Sequence, residues 1–96
     1  MWRIMGYAHK AGNSGKFTVT TEEIILPNEV CSKVWFSAPK KNKGQVYIRF
    51  RESGPPGCGV ELDKGVIFGP LSVENLSLLS ICGTKDDDEL LYLLVK

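Results

Sequence analysis

Residues 86–89, Asp-Asp-Asp-Glu, form the densest set of oxygen ligands in the chain. Clustered carboxylates can hold calcium, but loop sites usually space them with Gly or Asn at fixed intervals. These four run consecutively between two apolar stretches, where a solvated turn is expected. The stretch Lys40-Lys41-Asn42-Lys43-Gly44 raises a second choice, between a grip on phosphate or an acidic surface and a polar connection between strands. Imidazole chemistry has little to work with, because His9 is the only histidine and precedes a Gly/Ser-rich stretch. Cys31, Cys58 and Cys82 are odd in number and widely spaced, without a C-x-x-C pair. That pattern argues against a disulfide framework or a zinc site and for thiols of a reduced compartment. No nucleophile elbow, phosphate-cradling glycine loop or paired-carboxylate motif is present. A nucleophile, base or metal held by an orienting partner cannot be assembled. The chain reads as a non-enzyme without cofactor or metal.

Binding residues are easier to find than catalytic ones. Trp35 and Tyr47 fall off the core face if the alternation around them holds, on strands expected to be neighbours, beside Lys33, Arg49 and Arg51. Aromatics with arginine are the residue types that dominate interaction surfaces, and they also stack on sugars or bases. The run Leu90-Leu91-Tyr92-Leu93-Leu94-Val95 is apolar on both faces of a strand. Such a strand is either fully buried or covered by a partner. The sequence expectation places a subunit or partner contact on Leu90, Tyr92 and Leu94, with Trp2 of the N-terminal segment as a further contact.

The elements that must position these residues are strands. Period-2 alternation dominates: Val34, Phe36 and Ala38 against Lys33, Trp35 and Ser37, and Val46, Ile48 and Phe50 against Gln45, Tyr47 and Arg49. Further short strands read at 16–21, 59–62, 66–69, 71–74, 77–82 and 90–95, and 22–26 reads as a continuation of the first. Turn chemistry separates them at Pro27-Asn28, Asn42-Lys43-Gly44, Asp63-Lys64-Gly65, Gly69-Pro70 and Asp86-Asp87-Asp88. Helical spacing is weak and confined to Glu74–Leu79. Short strands with turns every eight to twelve residues predict an all-β fold, a small antiparallel β-sandwich of jelly-roll type. Residues 1–15 read as an N-terminal arm or an extra strand, divided by the linker-like 11–15 from a single sandwich over 16–96. The Lys40–Gly44 stretch then reads as a hairpin connection that sets Phe36 opposite Ile48, with Asn42 and Gly44 supplying positive φ.

Composition narrows the partners. Twelve Lys and Arg against eleven Asp and Glu leave a formal charge of +1. A protein that binds by neutralising phosphates carries a clear excess of base, so nucleic acid is disfavoured. No run approaches the roughly 18 apolar residues of a membrane span, and the N-terminus lacks the apolar stretch of a signal peptide. Synthesis and folding in the cytoplasm are expected.

From Gly15 onward the order of motifs resembles the small β-sandwich structural proteins of tailed-phage virions. The residues that carry the resemblance are Thr18-Val19-Thr20-Thr21, then Leu26-Pro27-Asn28 with Cys31, Ala38, and Asn42 with Gly44. Val46-Tyr47-Ile48, Gly59-Val60-Glu61-Leu62 with Gly65, and Leu76 to Gly83 before the last strand continue the order. The first fourteen residues and the Gly54–Gly59 loop lie outside the pattern. The resemblance implies a head decoration (cement), head-fibre or tail-associated protein, with no catalytic or cofactor residues. Its partners would be the phage major capsid protein or other virion proteins, with homo-oligomerisation expected. It would reside in the virion, and in the host cytoplasm during assembly. A carbohydrate-binding or host-adsorption module using Trp35 and Tyr47 is the alternative, and a single-stranded nucleic-acid binder is a third reading that the charge balance weakens.

Overall fold

Among the described residues, alternating apolar side chains produce eight strands: β1 (Gly12–Val19), β2 (Ile24–Ile25), β3 (Lys33–Ser37), β4 (Val46–Phe50), β5 (Val60–Leu62), β6 (Ile67–Ser72), β7 (Leu79–Gly83) and β8 (Asp88–Val95). A 3-10 turn, Leu76–Leu78, precedes β7. Its cap is Asn75, whose side-chain oxygen accepts from the Ser77 amide at 2.9 Å. The structure is a computed structural model that describes residues 12–51 and 59–96.

The strands form two antiparallel four-stranded sheets, ordered β1-β8-β3-β6 and β2-β7-β4-β5. This is the eight-stranded jelly-roll order, two Greek keys packed face to face, as the alternation and turn spacing predict. Val34, Phe36, Leu90 and Leu94 from the first sheet meet Val46, Ile48, Leu79 and Ile81 from the second in one buried cluster. Phe17 stacks on Tyr92 at the edge of that cluster, with ring centroids 4.5 Å apart.

The expected hairpin between β3 and β4 does not form. β3 pairs with β6 and β8, while β4 pairs with β5 and β7, so Phe36 and Ile48 face each other across the core from opposite sheets. Alternation fixes which face of a strand is apolar, and a sandwich can bury that face from either side. Neither Asn42 nor Gly44 has positive φ; among non-glycine described residues that conformation belongs to Asp87 alone, at φ 69°. Gly44 is needed for space instead, because a Cβ there would lie 2.2 Å from Thr84 Oγ1.

Three other boundaries shift. The linker-like 11–15 is mostly strand: Gly12 to Gly15 belong to β1 and pair with Val95 to Tyr92. The continuation expected at 22–26 becomes β2, in the other sheet. Gly69-Pro70, read as a turn, lies inside β6, with a cis peptide bond and φ 127° at Gly69. β6 is a sheet edge, where a proline costs no ladder hydrogen bond, and a Cβ at Gly69 would meet the Val34 carbonyl oxygen at 2.8 Å.

β8 is the central strand that shapes the outer face of the first sheet. It lies between β1 and β3, not at a sheet edge. Leu90 and Leu94 are each 0% exposed, whereas Leu91 and Leu93 are 40% and 51% exposed. Leu90→Ala is expected to cost about 2–5 kcal/mol by leaving a cavity. Leu93→Ala, on the outward phase, is expected to cost about 0.5 kcal/mol or less. Urea-unfolding midpoints of the two variants check this phase directly, and equal losses would contradict it.

Candidate functional site: the outer faces of the two sheets

The residues singled out for binding do not share a surface. Trp35 projects from β3 on the outer face of the first sheet, opposite Leu93 of β8. Tyr47 and Arg49 project from β4 on the outer face of the second sheet, opposite Cys82 and Ser80 of β7. The aromatic platform expected from neighbouring strands is therefore split between the two sides of the sandwich. Leu90 and Leu94, expected at a contact, are core, and Tyr92 is half-buried against Phe17. Trp2, His9 and Cys58 lie outside the described residues.

On the second sheet the outer face carries a paired polar cluster beside Tyr47 and Ile25, the latter 56% exposed. Arg49 donates from Nε to Glu23, and from Nη2 to Glu23 Oε1 at 2.9 Å, while the Ser80 hydroxyl also donates to Glu23. The hydrogen bonds from Arg49 and then Ser80 hold the Glu23 carboxyl below its usual range. Arg49 is thus engaged in bracing β2 against β4 and β7, rather than presented to a partner. Burial pushes the thiols of Cys31 and Cys82 up, away from the thiolate that reactive cysteines need. Cys31 Sγ donates to the Val73 carbonyl at 3.2 Å, and nearby Asn28 accepts from the Asn75 amide at 2.7 Å.

The first sheet differs. Its outer face carries Trp35 and Ser37 on β3, Leu91 and Leu93 on β8, and Ile67 on β6, which together line a shallow groove of about 340 Å³. Ile67 is 69% exposed. The polar groups among the lining residues are the hydroxyls of Ser37 and Tyr92 and the indole N–H of Trp35. An apolar patch of about this size is within the range found on monomers, where the largest such patch is often functional. Lys33 marks one end of the stripe, opposite Val95 of β8 and Ser72 of β6, and has no ion pair among the described residues. At the other end Glu89 is held by Lys16 and Lys41, each at 3.0 Å.

The lysine stretch and the acidic run belong to each other. Asn42 is buried and brackets Glu89, donating from Nδ2 to its carbonyl at 2.8 Å and accepting from its amide at 2.9 Å. The two oxygens of Asp88 accept from the amides of Lys43 at 2.9 Å and Gly44 at 2.8 Å. Asp86 accepts from the Thr21 amide at 2.9 Å. The loop is a connection between sheets, polar because it is latched to the start of β8, with Lys40, Lys41 and Lys43 exposed around it. Asp88 is not the solvated turn residue its neighbours suggest: it is 5% exposed. Among the described residues no three His, Cys, Asp or Glu side chains are grouped to hold a metal ion.

Sequence reasoning missed Asp88, Asn42 and Glu23 as anchors, and Ile67, Leu91 and Leu93 as surface. A buried carboxylate leaves no local pattern, because the amides it receives lie more than forty residues away.

The latch has a pH dependence of definite sign. The Lys43 amide, with that of Gly44, holds the Asp88 carboxyl below its ordinary value, and Lys16 and then Lys41 do the same for Glu89. Their contribution to stability is complete above the unfolded values near about pH 4 and is lost as pH falls through the lower folded values. Melting curves of the wild type are expected to drop between about pH 5 and pH 3. Asp88→Asn is expected to melt lower than wild type at pH 7, since one amide loses its acceptor, and to show a shallower acid slope.

Compared with known proteins, the chain matches no family model, no curated protein and no solved structure.

Proposed function

We propose that this protein is a non-enzymatic structural protein of a phage virion, a decoration protein that docks on assembled coat protein through the outer face of its first sheet. The observation that carries the reading is the difference between the two outer faces. One is braced by Arg49, Glu23 and Ser80, and the other leaves Trp35, Ile67, Leu91 and Leu93 around an open groove. The jelly roll is a recurrent architecture of viral capsid and lectin domains, which raises this reading by analogy only. The order of motifs from Thr18 to Gly83 points the same way.

Magnitudes suit a lattice. Four strands about 4.8 Å apart and about five residues long cover roughly 300 Å². Burying that area is worth about 8 kcal/mol at 25 cal/mol per Å², which the cost of association, about 4–15 kcal/mol, largely offsets. A single contact of this size is weak. Repetition over a symmetric shell multiplies it through effective concentration. A glycan-binding module is less well supported, since Trp35 and Tyr47 lie on opposite faces and cannot clamp one sugar.

Co-sedimentation with coat-protein shells tests the proposal. Wild type is expected to pellet saturably, Leu93→Lys and Trp35→Ala to lose retention by about tenfold or more, and Tyr47→Ala on the opposite face to retain it. Glycan-array binding that depends on Trp35, with no retention on shells, would replace the decoration role by adsorption.

A further inference from the structure

The charges that frame the groove specify what can lie in it. Lys33 stands at one end without a carboxylate partner among the described residues. At the other end two lysines, Lys16 and Lys41, share the single carboxylate of Glu89. Counted over the outward side chains of the sheet and Lys41, each end of the apolar stripe therefore carries one more lysine than carboxylate. Between them the outward side chains of β3 and β8 are Trp35, Ser37, Leu91 and Leu93, none of them charged.

We propose, on the reading that this face is the docking face, that it accepts a partner-protein segment whose apolar side chains enter the groove beside Trp35 and whose flanking carboxylate pairs with Lys33. The occupant follows from complementarity at both levels. Apolar side chains match a lining made mostly of Trp35, Phe36, Ile67, Leu91 and Leu93. A carboxylate matches Lys33, the cation left open on this face. Nucleic acid fits poorly, because the residues that line the groove include no cation to meet a phosphate row. A second copy of the same face fits poorly as well. Whichever way two copies turn, a net-positive end meets a net-positive end, and like charges set together across an interface select against that pairing. The face, roughly 300 Å² by strand spacing, also falls well below the about 800 Å² per partner of a stable isolated pair. Lys33 acts here as a selector: it contributes discrimination and encounter rate more than affinity.

The test uses the full-length protein and fluorescein-labelled, end-capped hexapeptides that alternate Leu with Glu, Leu with Lys, or Ser with Glu, read by anisotropy. Leu–Glu is expected to bind about tenfold tighter than Leu–Lys, and Ser–Glu not measurably. Leu93→Ser is expected to weaken Leu–Glu, and Lys33→Glu to reverse the preference toward Leu–Lys. Equal binding of all three peptides, no binding of any, or an unchanged preference in Lys33→Glu overturns the proposal. So does concentration-dependent dimerisation in sedimentation that Leu93→Ser abolishes, which assigns the face to a second copy. Selective peptide binding without retention on coat shells leaves the docking chemistry standing and removes the virion reading. Retention on shells that Lys33→Glu does not alter does the reverse.

Discussion

The last strand can enter the middle of the first sheet only if its start is held in place, and a buried carboxylate holds it. Asp88 receives the amides of Lys43 and Gly44, and Asn42 closes on both backbone groups of Glu89. These bonds join the β3–β4 crossover to the first turn of β8. An amide or carboxylate left unpaired at such a site would cost its full desolvation, so the set stands or falls together. From that point β8 runs for eight residues between β1 and β3, supplying ladder bonds to both. The sandwich closes when its first and last strands meet, Gly12 against Val95. Pairing across almost the whole chain demands loop closure before any reward, which is the slow step of folds with such topology.

That position of β8 also explains why the two outer faces differ. A central strand in a sandwich has one face in the core and the other facing out. In β8 both faces are apolar, so the outward one leaves Leu91 and Leu93 beside Trp35 and Ile67. The second sheet solves the same problem with polar residues. Its outward positions on β4 and β7 hold Arg49 and Ser80, tied by Glu23. One outer face is thus braced by a polar cluster, and the other is lined by exposed apolar side chains.

The lysine loop shows how a single stretch can mislead. Three lysines in four residues resemble a phosphate grip, yet the loop's structural content lies in Asn42 and in the amides of Lys43 and Gly44. The lysines are exposed because a crossover between sheets has no apolar surface to lie against. Lys41 additionally neutralises Glu89, which lets that carboxylate sit half-buried beside the apolar stripe.

Much of the architecture was legible from residue order. Alternation in Lys33–Ser37 and Val46–Phe50 marked Val34, Phe36, Val46 and Ile48 as core, which they are, but Phe50, placed on the same face, lies at the end of β4 and is 45% exposed. Turn chemistry separated most of the strands and predicted an all-β sandwich. Partners of those strands were not legible. Ladder bonds join backbone groups that are alike in every residue, so a period of two tells which face is apolar and not which strand lies alongside. The outward phase of β8 was hidden for a related reason: Asp88 opens one face and Glu89 the other, with leucines following on both. Only the tertiary fold could separate them, because it placed the Lys43 and Gly44 amides where one carboxylate could be buried and left the other to the lysines outside.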